Sequence, residues 1–201
     1  MIKTQLKSSW VLSLPLLFKI ERKLMKAFRN SYPAYLFLYW FYFMSTALFT
    51  TLISVYLIGR QYSASQVSNL VSTAFFLSML AQPLFGYINE RFGIVKITTL
   101  SLVVLMAGVG GFIWAPNYFW LTIFYGLVLL CLNGTAPMME VFATQSPYAF
   151  GKIRVWGTLG YAAGAQLAGW LYAHLSPQSV YYCVLVTLLL SFFTLGAIRI
   201  D

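Results

Sequence analysis

Acidic residues are almost absent from this sequence. Four Asp and Glu stand against 13 Lys and Arg in 201 residues, and 8% of the side chains are charged while 60% are hydrophobic. So few charges cannot coat a water-soluble globule of this size, and the aliphatic and aromatic content excludes a disordered or collagen-like chain. Histidine occurs once, at His174, and cysteine twice, at Cys131 and Cys183, both inside apolar runs. One imidazole excludes zinc sites of the H-E-x-x-H type, and isolated thiols in apolar surroundings behave as small hydrophobes. Neither a metal, a disulfide nor a cofactor is expected. The G-x-S-x-G nucleophile motif is missing as well, so no paired catalytic groups remain and the chain reads as no enzyme. The net charge of +9 does not point to nucleic acid, because seven of the 13 positive residues precede residue 30 and leave no basic face on a folded body. A lipid bilayer accounts for both the apolar content and the charge.

What is present is long uncharged runs. No charge interrupts Arg29 to Arg60, and Pro33 to Gly59 is long enough to cross a hydrocarbon core that takes about 20 helical residues. A second span is expected over about Val67–Ile88. The stretch between Lys96 and Glu140 has room for two more, divided at Ala115-Pro116-Asn117-Tyr118. A fifth follows over Arg154–Ala173 and, after the Pro177 loop, a sixth over Tyr181–Ile198. The fold class is therefore all-α, an integral membrane bundle of six transmembrane helices. Two regions are expected: a basic amino-terminal segment, residues 1–29, and a six-helix transmembrane domain, residues 30–201.

Every positive residue except Arg60 falls on one side of such a bundle, which sets both termini in the cytoplasm of a multi-pass cell-membrane protein. Trp40, Tyr56, Tyr62, Trp114, Trp120 and Tyr181 lie near the span boundaries, as interfacial aromatics do. The apolar run Trp10–Phe18 is too short to cross, and no small-residue cleavage site follows it. Two readings stand for this segment: an interfacial amphipathic helix, or translation that starts at Met25.

Internal repetition is faint. Phe41-Tyr42 recurs as Phe124-Tyr125, and Ala81-Gln82 with Gly86-Tyr87 recurs as Ala165-Gln166 with Gly169-Trp170. A repeat of three spans places its second copy upside down in the membrane, giving the 3+3 inverted repeat of many secondary transporters.

The loop after the second span reads Gly86-Tyr87-Ile88-Asn89-Glu90-Arg91-Phe92-Gly93. It resembles the G-x-x-x-[D/E]-R-x-G signature of the major facilitator superfamily, with Glu where Asp is usual. Gly86 and Gly93 permit a reversal and close helix approach, while Glu90 and Arg91 can pair in one conformation and part in another. The resemblance implies a conformational-gating role for these four residues. As residues alone they also make an ordinary charged loop.

Asn133-Gly134-Thr135-Ala136-Pro137-Met138-Met139-Glu140 and Phe150-Gly151-Lys152-Ile153-Arg154-Val155-Trp156-Gly157, with Gln82-Pro83-Leu84-Phe85-Gly86 and Phe41-Tyr42-Phe43, resemble the oligosaccharide:proton symporters, the lactose permease family. The similarity covers about residues 30–201 and corresponds to that family's amino-terminal half. It implies that Glu140 and Arg154 form a charge pair central to sugar recognition, and that Tyr161, where the family more often has Trp, stacks on the sugar. Spacing alone puts Arg154, Thr158 and Tyr161 on one helix face flanked by Gly157, Gly160, Gly164 and Ala168. Without the resemblance, Glu140 either sits solvated at the end of the fourth span or lines a cavity loosened by Asn133-Gly134 and Pro137, and the glycines suit close helix packing.

In that family the groups that couple the proton lie in the carboxy-terminal half. The resemblance thus implies half of a proton-coupled symporter for a sugar or similar small polar solute. Its partners are the bilayer, an oligosaccharide-like solute, protons in the complete transporter, and either a complementary six-helix half or a second copy. A homo-oligomeric six-span transporter and a non-transporting membrane scaffold are the other readings. In intact cells, an impermeant thiol reagent should label a Cys placed at Gln61 or Ser176 and miss one at Asn89; external labelling at Asn89 would reverse the orientation.

Overall fold

The computed structural model describes residues 28–198, so most of the basic amino-terminal segment, and Arg199, lie outside the described residues. Among the described residues seven helical segments make six crossings. The first span is broken into α1 (Tyr32–Thr50) and α2 (Ile53–Gly59), followed by α3 (Ala64–Phe92), α4 (Ile94–Ile113), α5 (Tyr118–Thr144), α6 (Phe150–His174) and α7 (Ser179–Leu195). Local chemistry sets the ends. Pro33 occupies the first turn of α1, where its missing N–H costs nothing. Ser63 and Gln66 form a reciprocal capping box, which starts α3 at Ala64, ahead of the apolar run. Asn117 accepts from Trp120 N at 3.1 Å and starts α5. Gly93 takes φ 89°, a value that favours glycine, and turns the chain from α3 into α4 within one residue.

Four of these helices, counting α1 with α2, are long and apolar enough to cross a membrane. The other two have visible reasons for falling short of that pattern. α6 carries Lys152 and Arg154 near its start and is rich in glycine, and α7 has 17 residues, at the lower end of what a span needs, roughly 17–25.

Packing follows a rule that the faint repeat anticipates. The first span packs on the fifth and sixth, and the fourth packs on the second and third; the third meets the sixth. Exchanging spans one to three with four to six leaves this pattern unchanged, as a 3+3 inverted repeat requires.

Small residues permit the closest of these approaches. A Cβ at Gly164 of α6 would lie 2.6 Å from Met44 O of α1, and one at Gly160 would meet the Trp40 backbone. On the counterpart seam, a Cβ at Gly134 of α5 would lie 2.7 Å from the Phe85 ring of α3. Toward the Arg60 end, buried Phe49, Phe112, Tyr125 and Tyr181 fill the centre, with Phe49–Phe112 centroids 5.4 Å apart and Phe112–Tyr181 centroids 4.9 Å apart.

The α6–α1 seam is testable with glycines that differ only in surroundings. Gly164→Val should destabilise the detergent-solubilised protein by at least the ~1–3 kcal/mol typical of overpacking. Gly169→Ala, on the same helix with nothing within 4 Å of the added Cβ, should change stability by less than about 1 kcal/mol. Fluorescence-detected thermal unfolding separates the two.

Candidate functional site

Glu140 lies four residues before the end of α5 and Arg154 four residues after the start of α6. At 1.5 Å per residue each is about 6 Å inside the same end of the bundle, so two antiparallel helices hold the groups level. Arg154 Nε stands 3.1 Å from Glu140 Oε1, with both side chains more than a third exposed. The face of the same guanidinium lies over the Phe43 ring of α1, 4.6 Å from its centroid. Gly157 makes room for this stack, since a Cβ there would sit 2.8 Å from the Phe43 ring and 3.1 Å from Arg154 Nη1.

The polypeptide around the pair is fixed by aromatic hydroxyls of α1. Tyr42 Oη donates to Leu132 O at 2.8 Å and Tyr39 Oη donates to Met139 O, which joins α1 to α5 one residue before Glu140. Trp156 Nε1 donates to Tyr32 Oη at 2.9 Å, and Tyr32 Oη donates to Lys152 O at 3.2 Å, which ties down the first turns of α6. Tyr148, in the α5–α6 connection, packs edge-on against Tyr32 and Tyr35. Both charged side chains therefore stand on backbone that α1 holds in place, although α5 and α6 hardly touch each other.

Beside the pair is a recess of about 400 Å³ walled by Phe43, Thr46, Arg154, Thr158 and Tyr161. The helical face that the sequence assembles by spacing is thus one wall of a concavity. Tyr161 is 43% exposed and presents its ring there. Gly160, Gly164 and Ala168 are buried, and the two glycines abut α1; they belong to packing. Glu140 is not one of the wall residues and meets the recess through Arg154. A guanidinium, threonine hydroxyls and aromatic rings can together hydrogen-bond and stack on a polyhydroxyl solute.

The loop residues stand apart from this recess. Gly86, Glu90 and Arg91 are exposed, and neither charge makes an ion pair among the described residues. The close helix approach expected at Gly86 does not occur within this bundle: a Cβ there meets nothing within 4 Å, whereas Gly93 serves the reversal. Gly86 instead borders a smaller recess of about 110 Å³ between α3 and α5, with Gln82, Asn89 and Pro137.

Two further contacts were not legible in advance. Phe43 under the guanidinium is one aromatic in a run where Tyr39, Trp40, Phe41 and Tyr42 are its neighbours, so only the packing of α1 on α6 selects it. Asn133 Nδ2 donates to Ser78 Oγ at 2.9 Å, a polar link between α5 and α3 that the sequence does not single out, because Thr122 and Thr135 in α5 and Thr73 and Gln82 in α3 are equally polar.

The sequence comparisons agree with this architecture. Over 171 residues the chain is 28% identical to the maltose permease of Geobacillus stearothermophilus, a match covering 80% of this chain and 42% of that protein. It is 26% identical to the sucrose permease of Escherichia coli over 171 residues, 78% of this chain and 41% of that one. The chain spans about two-fifths of the length of these curated relatives. The model of the MFS_1 like family matches residues 32–199, essentially the whole six-span body, and with the helical bundle described above it follows that this chain belongs to the MFS_1 like family of major facilitator membrane transporters.

Proposed function

We propose that this chain is the amino-terminal six-helix half of a proton-coupled symporter for a sugar, in which Glu140, Arg154 and Tyr161 bind the solute. The supporting observation is the Arg154 guanidinium held between Glu140 and Phe43 at the edge of a recess that Tyr161 also lines. The relatives are permeases named for maltose and sucrose, two disaccharides, whose paired hydroxyls suit a planar fork and whose apolar ring faces suit an aromatic plate.

In this reading residues 30–201 form one transport domain, and the Lys152/Arg154 and Arg91/Lys96 loops face the cytoplasm. Gly86, Glu90, Arg91 and Gly93 gate the inner side by meeting a second six-helix body. The outward face of α3 favours such a partner, since Phe75, Phe76, Leu80 and Leu84 are all at least half exposed. Coupling protons are handled by that second body, either a complementary carboxy-terminal half or a second copy of this chain.

The test is equilibrium binding of labelled maltose and sucrose to membranes carrying this chain with the carboxy-terminal six helices of the maltose permease relative. Arg154→Lys keeps the charge and loses the fork, so affinity should fall about tenfold or more, the equivalent of one charge-assisted hydrogen bond worth roughly 1.5–3 kcal/mol. Glu140→Gln should lower stability by no more than about 1 kcal/mol, because a solvent-open pair contributes little to folding. Unchanged binding in Arg154→Lys, together with unfolding of Glu140→Gln, would make the pair structural and move the solute site elsewhere.

A further inference from the structure

A helix closes just ahead of the first span. Phe28 is helical, Asn30 takes φ 53°, the left-handed conformation in which helices commonly end, and α1 starts only at Tyr32. Asn30 N donates to Ala197 O at 3.1 Å, and Tyr148 Oη donates to Asn30 O at 3.4 Å. The turn is thereby tied to the residues after α7 and to the α5–α6 connection, at the end of the bundle that holds Glu140 and Arg154. Phe28 is partly buried and lies back on α1, its ring centroid 6.4 Å from that of Phe37, which is on the exposed side of that helix. Arg29, the next residue, is exposed.

The sequence extends this division between an apolar and a basic side. Residues 1–27 lie outside the described residues, so the pattern is one of spacing alone. At about 100° per residue, Leu16, Leu17, Ile20, Leu24, Ala27 and Phe28 share an arc of about 120°. Lys19, Arg22, Lys23, Lys26 and Arg29 share a second arc of about 120°, which no apolar residue of this stretch enters. Phe18, Glu21 and Met25 fall between the two. Ser13 and Pro15 suit a cap and a first turn, and Asn30 supplies the stop. The stretch is too basic to cross a bilayer and has the two faces of a helix that lies along one.

The bundle offers the basic arc few partners. Among the described residues the carboxylates are Glu90 and Glu140, and Glu140 already pairs with Arg154. Arg91, Lys96 and Lys152 at the same end add like charge. Anions that can face five positive groups along one side of a helix, while its other side stays out of water, are the headgroups of acidic phospholipids. We propose that residues 14–29 form an amphipathic helix on the membrane surface at the Glu140 end of the bundle. Its apolar arc enters the lipid, and Lys19, Arg22, Lys23, Lys26 and Arg29 meet acidic headgroups. Each basic side chain near such a surface strengthens attachment by roughly fivefold.

The experiment uses the full chain in lipid nanodiscs, either of phosphatidylcholine alone or with phosphatidylglycerol added. In a Cys131→Ala, Cys183→Ala background, a nitroxide is attached at Ile20→Cys, Leu24→Cys or Lys23→Cys. Its accessibility to oxygen, which concentrates in lipid, is compared with that to a water-soluble nickel chelate. With phosphatidylglycerol, positions 20 and 24 should favour oxygen and position 23 nickel. Phosphatidylcholine alone should lower the oxygen-to-nickel ratio at position 20. So should Lys19→Gln with Lys26→Gln, which weakens attachment by roughly 25-fold at about fivefold per charge. The lipid comparison needs no charge variant and decides the matter if that variant fails to insert. Equal accessibility at positions 20 and 23 would overturn the proposal, as would a ratio at position 20 indifferent to both lipid charge and the two substitutions. A label at position 20 shielded from both reagents would place the apolar arc against protein, either this bundle or a second six-helix body, and would overturn it too.

Discussion

The half of this bundle that holds Glu140 and Arg154 depends on how closely α6 lies against α1. Gly160 and Gly164 let the two backbones approach until a single added carbon at either position would collide with Trp40 or Met44. At that separation side chains on the flanks of the seam meet, and Arg154 comes down on Phe43. Gly157 continues the same row, and without it the ring and the guanidinium could not share the space. Helix packing in a bilayer gains little from hydrophobicity, because lipid tails are as apolar as leucine, so close contact and hydrogen bonds must carry it. The tyrosines of α1 supply those hydrogen bonds, clamping α5 at Leu132 and Met139 and the start of α6 at Lys152.

The Glu140–Arg154 pair is a poor device for stability. A charge at the bilayer centre costs roughly 2.5–3.5 kcal/mol on insertion scales, and an exposed ion pair returns at most about 1 kcal/mol. The pair avoids most of the cost by lying about one turn inside the end of the bundle, with both side chains still more than a third exposed. Pro137, three residues before Glu140, cannot donate a backbone N–H and leaves a carbonyl in the previous turn without its usual helical partner, consistent with a locally loosened, polar wall. Groups with so little to offer the fold suit the binding role proposed for them.

The span count was legible because hydrocarbon thickness imposes one length scale on every uncharged run, from Pro33–Gly59 to the stretch before Glu140. Ends were less legible where polar caps extend a helix beyond its apolar run, as the Ser63–Gln66 box does for α3. The repeat left only scattered pairs such as Phe41-Tyr42 and Phe124-Tyr125, because packing constrains which surfaces meet far more than it constrains the residues that meet there. Arg154, Thr158 and Tyr161 were assembled correctly by helical spacing, a local property. Phe43 and the recess beside Arg60 at the other end of the bundle were not, since each depends on which distant helix is adjacent. Arg60 in particular reads from the sequence as a topology marker; Tyr56 is its neighbour one turn back, and only the fold brings Tyr172 and Gln178 to it.

The central claim is that position 154 needs a guanidinium over Phe43 for binding, and that the pair is not held for its charge alone. Exchanging the two residues, Glu140→Arg with Arg154→Glu, tests this most directly, because it preserves the pair while removing the fork from the Phe43 face and the recess. Measured in a transporter assembled with a complementary half, the account predicts a folded, membrane-inserted protein whose disaccharide affinity has fallen by at least tenfold, about 1.4 kcal/mol. Disaccharide affinity equal to that of the wild type in the exchanged protein would contradict it.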